Sequence, residues 1–155
     1  MFLFFASLHV LFRFFNKLSL VASPGEIYVL LGSSSSGKST LVRTILGELV
    51  PEDGRVRVAG LDPARGVGPA VGLMPQESGL FADVSVMENL VYFGRLNRMT
   101  PDEVESSYEM LRAELDLADS DLIVGQLSRG AQQMISFCVA IQHNPQILIL
   151  DEVMF

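Results

Sequence analysis

The sequence predicts an α/β domain with a largely parallel central sheet. Three observations support this fold class. Strand-like and helix-like patterns alternate along the chain, a glycine-bounded turn joins a strand to a helix, and the last apolar run ends in two carboxylates. With 155 residues, of which 49% are hydrophobic and 19% charged, the chain can bury one sizeable core.

The charge balance and the cysteine content restrict the function classes. A formal net charge of −7 argues against a nucleic-acid partner, because surfaces that bind nucleic acid are built from Lys and Arg. The single cysteine, Cys138, cannot form an internal disulfide. It lies in an apolar helical pattern, so we expect it to be a small core residue.

Residues 1–17 form an apolar segment of uncertain role before a domain that we expect to occupy residues 18–155. The first 15 residues are apolar enough to suggest a signal or an anchor. However, His9 and Arg13 interrupt them, no basic residue precedes their apolar part, and they are short for a bilayer span. We therefore favour an edge strand.

Residues 25–44 are the most informative stretch of the chain. Residues 27–31 are apolar and rich in β-formers, so they predict a buried strand, and the apolar residues within 41–46 have helical spacing. Between these two elements, residues 32–39 match the pattern G-x-x-x-x-G-K-[ST], which defines a P-loop. A serine- and glycine-rich surface turn is the alternative, but the flanking strand and helix favour the P-loop.

A P-loop binds phosphate through its backbone and through the helix that follows it. Small residues let successive N–H groups turn inward, and the helix beginning near Lys38 adds the positive end of its dipole. We expect Lys38 to reach the β- and γ-phosphates of a nucleotide and Ser39 to give its hydroxyl to Mg²⁺.

Three further segments predict strands. Residues 55–59 alternate between polar and apolar side chains, as in a half-buried strand, and residues 71–75 form a second short run. Residues 147–150 are continuously apolar, which is typical of a strand covered on both faces.

Helix-start signals precede three more helices. Residues 85–88 and 100–103 are capping boxes, and Ser128 is a candidate cap for the third helix. The expected helices run from the two boxes to about Arg95 and about Leu117, and from about Ala131 to His143.

Polar residues at the ends of these elements are candidates for chemistry. Asp151 could hold the water shell of Mg²⁺, and Glu152 could orient or deprotonate an attacking water. Gln76 follows a strand, where its amide could bind Mg²⁺ or position water, although an isolated glutamine is more often a surface residue. The helix start at Ser128 and Gly130 is either an ordinary cap or a site for phosphate.

The order of these motifs resembles the nucleotide-binding domain of ABC transporters. The resemblance covers about Leu18 to Glu152, and residues 71–77 and 143–152 are most similar to the eukaryotic G/H-type half-transporters. The motifs that carry it are, in order, the P-loop at 32–40, Gln76, the segment 127–133, and Asp151 with Glu152 at the end of an apolar strand.

The resemblance implies a P-loop NTPase fold with an antiparallel N-terminal β part and a helical subdomain, whose C-terminal strands are missing from this chain. It implies ATP and Mg²⁺ as ligands, with Lys38 and Glu152 as catalytic residues and Glu152 as the general base. The nucleotide-binding residues it implies are Gly32, Ser33, Ser34, Ser35, Ser36, Gly37, Lys38, Ser39, Thr40 and Gln76, and its metal ligands are Ser39, Gln76 and Asp151.

The resemblance also implies partners and a location. A second nucleotide-binding domain would pair head to tail, so that Ser128 and Gly130 contact the γ-phosphate held by the other domain. Residues 81–90 correspond to the region that contacts the transmembrane domain, at the cytoplasmic face of a membrane. An aromatic residue that stacks on adenine is expected near residues 9–12, either His9 or Phe12.

The sequence departs from the family pattern at several positions. Arg129 and Ala131 replace a glycine and a glutamine of the family motif Leu-Ser-Gly-Gly-Gln, and His143 precedes the last strand, so it cannot be the switch histidine. The chain stops at Phe155, before that histidine is expected, so we expect weak Mg-ATP binding and little or no hydrolysis. The alternatives are a non-catalytic regulatory or binding module and a soluble P-loop phosphotransferase.

Overall fold

The computed structural model describes residues 3–4, 8–9, 18, 20–33 and 36–151, with the backbone alone at 3–4 and 8–9. Strands and helices alternate in these ranges, as the α/β prediction requires. The elements are β1 (Leu3–Phe4), β2 (Leu8–His9), β3 (Tyr28–Val29), α1 (Lys38–Ile45), β4 (Arg57–Val58), β5 (Val71–Met74), α2 (Val86–Leu96), α3 (Pro101–Leu115), α4 (Arg129–Ile141) and β6 (Ile147–Leu150).

The strands pair in two ways. β5 and β6 are parallel, with Val71 opposite Ile147 and Met74 opposite Leu150, and all three helices of the segment between them form the crossover. β1 pairs with β3, and β2 pairs with β4, both antiparallel. The N-terminal β part is therefore antiparallel, as predicted, and strands do occur within the first 17 residues.

The hydrophobic side chains form two clusters. The first, which we call the sheet core, joins α1 to β4, β5 and β6, so the helix after the P-loop and the strand before Asp151 share one interior. The second, the helical core, joins α2, α3 and α4. Its fully buried members include Val86, Leu90, Val104, Tyr108, Ile135 and Cys138.

The helix starts agree with the sequence patterns. Ser85 and Thr100 both form complete capping boxes, with Glu88 and Glu103 respectively. Ser128 caps α4, which begins at Arg129, two residues earlier than expected. The helices α2, α3 and α4 constitute the helical subdomain.

The prediction of a buried strand at residues 27–31 is wrong in extent and in burial. The strand comprises Tyr28 and Val29 alone, and Ile27 and Leu31 are 61% and 82% exposed. Among the described residues, β3 pairs with the two residues of β1 alone. The apolar side chains of Ile27, Val29 and Leu31 are exposed. An apolar run predicts the burial that a complete sheet would provide, and here the pairing is too short to provide it.

A smaller difference concerns the burial of β6, and a separate finding concerns membrane spans. Ile147 and Ile149 are buried, whereas Leu148 and Leu150 are half-buried, so one face of β6 is covered more completely than the other. In the part of the chain that the structure describes, no helix combines the length and the apolar character that a bilayer span needs.

Candidate functional site

The Lys38 side chain forms hydrogen bonds with the backbone of the loop between β3 and α1. The Lys38 ammonium donates to the carbonyl oxygens of Gly32 and Ser33, at 2.7 and 2.9 Å, and approaches the Ser36 hydroxyl at 3.4 Å. The Ser36 N–H donates to the Ser33 carbonyl at 3.2 Å. Ser34 and Ser35 lie outside the described residues. The lysine therefore sits over the loop, on the backbone that would surround a phosphate.

Gly37 ends the loop and precedes the first turn of α1. Its φ of 94° is a left-handed conformation that favours glycine, and it provides no side-chain cap. The first four N–H groups of a helix have no partner within the helix. Because no side chain caps them here, the N–H groups of α1 remain available to an anion.

Gln76 and Asp151 follow neighbouring strands at the same edge of the parallel pair. The Asp151 N–H donates to the Met74 carbonyl at 2.9 Å, which extends the ladder by one residue beyond β6. The structure thus brings these two predicted residues to one edge, and the sheet core joins that edge to α1. Glu152 lies outside the described residues.

The donor chemistry at this edge fits Mg²⁺ rather than a transition metal. Within the described residues, no three His, Cys, Asp or Glu side chains converge to form a metal site. The proposed ligands, Ser39, Gln76 and Asp151, offer a hydroxyl, an amide and a carboxylate oxygen. Mg²⁺ takes oxygen ligands and is commonly bound through one or two carboxylates together with substrate phosphates and water.

The segment before α4 is an ordered, exposed turn. Ser128 Oγ accepts a hydrogen bond from the Ala131 N–H at 3.2 Å. The Gln132 side chain donates to the carbonyls of Val124 and Leu127, at 3.2 and 3.1 Å, and so fixes the turn from inside. Arg129 and Gly130 are exposed. The cap prediction for Ser128 is confirmed.

A model of the ABC transporter family matches residues 15–154. The chain belongs to the ABC transporter family. ABC transporter G family member 23 of Dictyostelium discoideum is 38% identical over 141 residues, which are 88% of this chain and 20% of that protein. G family member 20 of the same organism is 39% identical over the same share of this chain and 19% of its own length.

A bacterial relative agrees with this assignment, and a solved structure has the same fold. Nod factor export ATP-binding protein I of Rhizobium meliloti (strain 1021) is 37% identical over 88% of this chain and 42% of that protein. A structure described as the ATP-binding subunit of an ABC transporter superposes with a TM-score of 0.66, at 18% identity, over 94% of this chain and 63% of that one. This likeness shows the fold.

The predicted ABC family, the similarity to G-type members and the P-loop NTPase fold are therefore confirmed. The chain spans between about a fifth and about two fifths of the length of the relatives named here. The chain therefore carries an ABC-type ATP-binding domain.

Two buried polar residues near the ABC motifs, Asn89 and Ser136, are not among the residues predicted from the sequence. Asn89 is fully buried and forms hydrogen bonds with both the N–H and the carbonyl of Phe81. Ser136 is 2% exposed and donates to the carbonyl of Ser78 at 3.1 Å. The available signal was a polar residue on the apolar face of an otherwise amphipathic helix, where burial requires a hydrogen-bond partner.

Three aromatic rings from the part of the chain that follows Gln76 form a cluster at the surface. The rings of Phe81 and Tyr92 are 4.9 Å apart and perpendicular, and Phe93 lies 5.1 Å from Tyr92 and 6.1 Å from Phe81. Phe81 and Tyr92 are about half exposed, at 46% and 48%. We call these three residues the aromatic patch.

Two titratable groups near α4 belong to the interior. Cys138 is fully buried, which confirms that it is a core residue, and this burial raises the pKa of its thiol to about 12. Burial also lowers the pKa of His143, with the backbone of Val71 acting in the opposite direction. The backbone of His9 lies in β2, and Phe12, the other candidate for adenine stacking, lies outside the described residues.

Proposed function

We propose that this chain is the ATP-binding domain of a transporter, that its P-loop binds Mg-ATP, and that hydrolysis of this ATP in the assembled transporter drives transport through a transmembrane partner. The observation that carries the proposal is the start of α1. Of the four α-helices in the described residues, α1 alone begins without a side-chain cap, and a lysine is folded over that start. An uncapped helix start beside a lysine is suited to phosphate.

The proposed binding step exchanges hydrogen bonds at Lys38. Its ammonium would leave the carbonyls of Gly32 and Ser33 and donate to phosphate oxygens, while the N–H groups of residues 36–40 surround the phosphate. The loop carbonyls hold Lys38 close to the helix start, so little side-chain reorganisation is needed. The serines of the loop keep it small enough for close backbone approach.

The metal and the attacking water are assigned to the edge of the parallel strands. Ser39, Gln76 and Asp151 would hold Mg²⁺, which neutralises charge on the phosphates when bound. Glu152, the next residue in the chain, would accept the proton of the attacking water as general base. Both roles are predictions supported by the common position of Gln76 and Asp151.

A second nucleotide-binding domain is proposed to meet the turn before α4. A Cβ atom added to Gly130 would have no heavy atom within 4 Å, and its φ does not require glycine. The fold of this chain therefore has no evident need for a glycine there, whereas close approach by another molecule would need one. This supports contact of Ser128 and Gly130 with a nucleotide held by a second domain, in a head-to-tail dimer.

The aromatic patch is proposed to face the transmembrane domain at the cytoplasmic side of the membrane. Phe81 lies in the segment between Gln76 and α2, the other two rings lie on α2, and the exposed rings provide the apolar contact that such an interface uses. We also propose that the nucleotide-binding domain begins at residue 18, after the apolar segment 1–17.

Titration with a fluorescent ATP analogue tests the nucleotide site. We expect Lys38→Ala to weaken binding about 10- to 100-fold, since a hydrogen bond to a charged group contributes about 1.5–3 kcal/mol. The matched control is Arg43→Ala, which removes an exposed cation from the same helix, where it pairs with Glu48. Equal affinity in the two variants would refute the proposed site. We expect hydrolysis by this chain alone to be slow or absent, and any that is measured in parallel should depend on Lys38 and rise more than proportionally with protein concentration.

A second candidate function, a non-catalytic module that pairs with an intact domain, is favoured by Arg129. Its side chain is exposed beside Gly130, and no described residue forms an ion pair with it. A cation at this point would crowd the nucleotide of the partner domain. The two functions separate in a mixing experiment: the non-catalytic module lowers the activity of an intact homologous domain, and Arg129→Gly relieves that inhibition.

A further inference from the structure

We propose that Asn89 and Ser136 are positioning residues that hold residues 78–81, and thereby place Gln76 at the metal site. The inference rests on the proposed role of Gln76 as a ligand of Mg²⁺. Asn89 belongs to α2 and Ser136 to α4, so two helices of the helical subdomain contribute to the placement of Gln76, in addition to the strand that it follows.

Asn89 binds the C-terminal end of the loop 78–81 through both backbone groups of Phe81, as a paired residue of a neighbouring strand does. Its Oδ1 accepts from the Phe81 N–H at 2.8 Å, and its Nδ2 donates to the Phe81 carbonyl at 3.0 Å. The same Nδ2 also donates to the Ser85 carbonyl at 3.0 Å, within its own helix start. With its side chain fully buried, Asn89 has its amide satisfied by backbone groups alone, which fixes its orientation.

Ser136 binds the other end of the loop. Its hydroxyl donates to the Ser78 carbonyl at 3.1 Å, across 58 residues of sequence, and the side chain is 2% exposed. Ser78 is two residues from Gln76. A hydroxyl buried between α4 and the loop would lose its partner if the loop moved away, so the loop is held by the cost of leaving that group unsatisfied.

The segment before α4 also forms backbone hydrogen bonds with the residues that follow Phe81. The N–H groups of Val124 and Gly125 donate to the carbonyls of Val84 and Ala82, at 3.1 and 2.9 Å. Residues 78–84 are therefore fixed between α2, α4 and the segment that leads to Ser128. Gln76 is the last predicted site residue before this fixed segment, so its freedom to move is limited at its C-terminal side.

Hydrogen exchange and metal-dependent binding test the inference with the purified 155-residue chain. Ser136→Ala removes one hydroxyl, and we expect amide exchange in residues 76–84 to accelerate about 3- to 10-fold. The ratio of ATP affinities with Mg²⁺ and with EDTA should fall by a similar factor, while the affinity in EDTA stays unchanged. Asn89→Ala should act in the same direction and more strongly.

The matched control is Ser107→Ala. The Ser107 hydroxyl donates to the Gln142 carbonyl at the same distance, 3.1 Å, and joins α3 to the end of α4 without touching the loop. It should leave both the exchange of residues 76–84 and the Mg²⁺ ratio unchanged. If Asn89→Ala fails to fold, Ser136→Ala decides the question alone.

The variant Gln76→Ala distinguishes failure of the positioning role of Ser136 and Asn89 from failure of the metal role of Gln76. If Gln76→Ala lowers the Mg²⁺ ratio and Ser136→Ala behaves as Ser107→Ala does, the positioning role is overturned and the metal role of Gln76 stands. If Gln76→Ala leaves the ratio unchanged, the metal role itself is overturned, and the inference falls with it.

Discussion

In α2, α3 and α4 a hydroxyl side chain caps the first turn, whereas the same position of α1 is Gly37, which has no side chain to offer. Ser85, Thr100 and Ser128 each accept a hydrogen bond from an N–H of the turn they precede. The helical subdomain thus satisfies its own helix starts. The sheet region leaves one helix start open, and that opening is the proposed phosphate site.

The surroundings of the P-loop are also packed less completely than the helical core. The helical core buries large side chains such as Leu90 and Tyr108 completely. Beside the P-loop, Ile27 and Leu31 stay largely exposed, and Val50 after α1 is 72% exposed. Local capping and helix–helix contacts stabilise the helical subdomain, whereas the sheet region depends on pairings between distant segments. The four predictions below test this difference.

The largest effect is expected in the helical core. Leu90→Ala should lower the free energy of unfolding by about 2–5 kcal/mol, because Leu90 is fully buried. Leu96→Ala, in the same helix but at a position 65% exposed, should change it by less than about 0.5 kcal/mol. Urea denaturation measures both.

Alkylation of Cys138 gives a local check on the same pair of variants. The thiol lies in the helical core and is fully buried, so its reaction in the native state requires that core to open. Leu90→Ala should accelerate the reaction and Leu96→Ala should not. Equal losses of stability in the two variants would show that the helical core is not packed as described.

The second effect concerns the contact between the two regions. A Cβ atom at Gly72 in β5 would lie 2.0 Å from the Ala140 carbonyl oxygen of α4 and 2.9 Å from Pro145 Cγ. Gly72→Ala should therefore force β5 and α4 apart and cost about 1–3 kcal/mol of stability. Gly130→Ala, where a Cβ meets no atom within 4 Å, is the control and should leave stability unchanged or slightly raised. If both variants unfold at the same denaturant concentration, β5 and α4 are not in close contact.

The fold was most predictable where its signals are local. The capping boxes at Ser85 and Thr100 placed two helices correctly, because the cap and its partner lie three residues apart. The strand at residues 27–31 was mispredicted, because burial of a strand depends on partners distant in sequence. An apolar run carries no information about whether those partners are long enough to cover it.

The motifs of the candidate site could be predicted from the sequence, but the buried residues proposed to position it could not. Lys38, Gln76 and Asp151 follow from a strand, a loop pattern and a common sheet edge. Asn89 and Ser136 look like ordinary helix residues in the sequence, since the backbone groups they bind come from loops with no pattern of their own. Positions of this kind are found when a buried polar atom in the structure is traced to its partner.

The third effect is the loss of one cap. Thr100→Ala should lower the free energy of unfolding by about 1 kcal/mol, because the Glu103 N–H loses its acceptor and the capping box is broken. Ser106→Ala, an exposed serine within the same helix, should have no destabilising effect and measures the helix propensity of alanine alone. Thermal or urea unfolding followed by circular dichroism compares them. A cost equal to that of Ser106→Ala would mean that the subdomain does not depend on its caps.

The smallest effect is a response of α3 to acid that α1 should not share. The backbone N–H of Thr100, and then its hydroxyl, lower the pKa of Glu103 from its ordinary value of 4.5. A carboxylate with a lowered pKa in the folded state stabilises the fold above pH 4.5, and this contribution disappears as the pH falls through the folded pKa. The first turn of α1 contains no acidic residue.

Hydrogen exchange at pH 6 and at pH 3, corrected for the intrinsic rate, should therefore show lost protection at the start of α3 and little change at the start of α1. Glu103→Gln keeps an acceptor oxygen but does not titrate, so this variant should show a much smaller loss at α3. The difference between the wild-type chain and the variant should shrink as the pH falls through the lowered pKa of Glu103. Equal acid loss at α1 and α3 would mean that acid opens the whole domain at once, and the contrast between a capped and an open helix start would then have no energetic consequence.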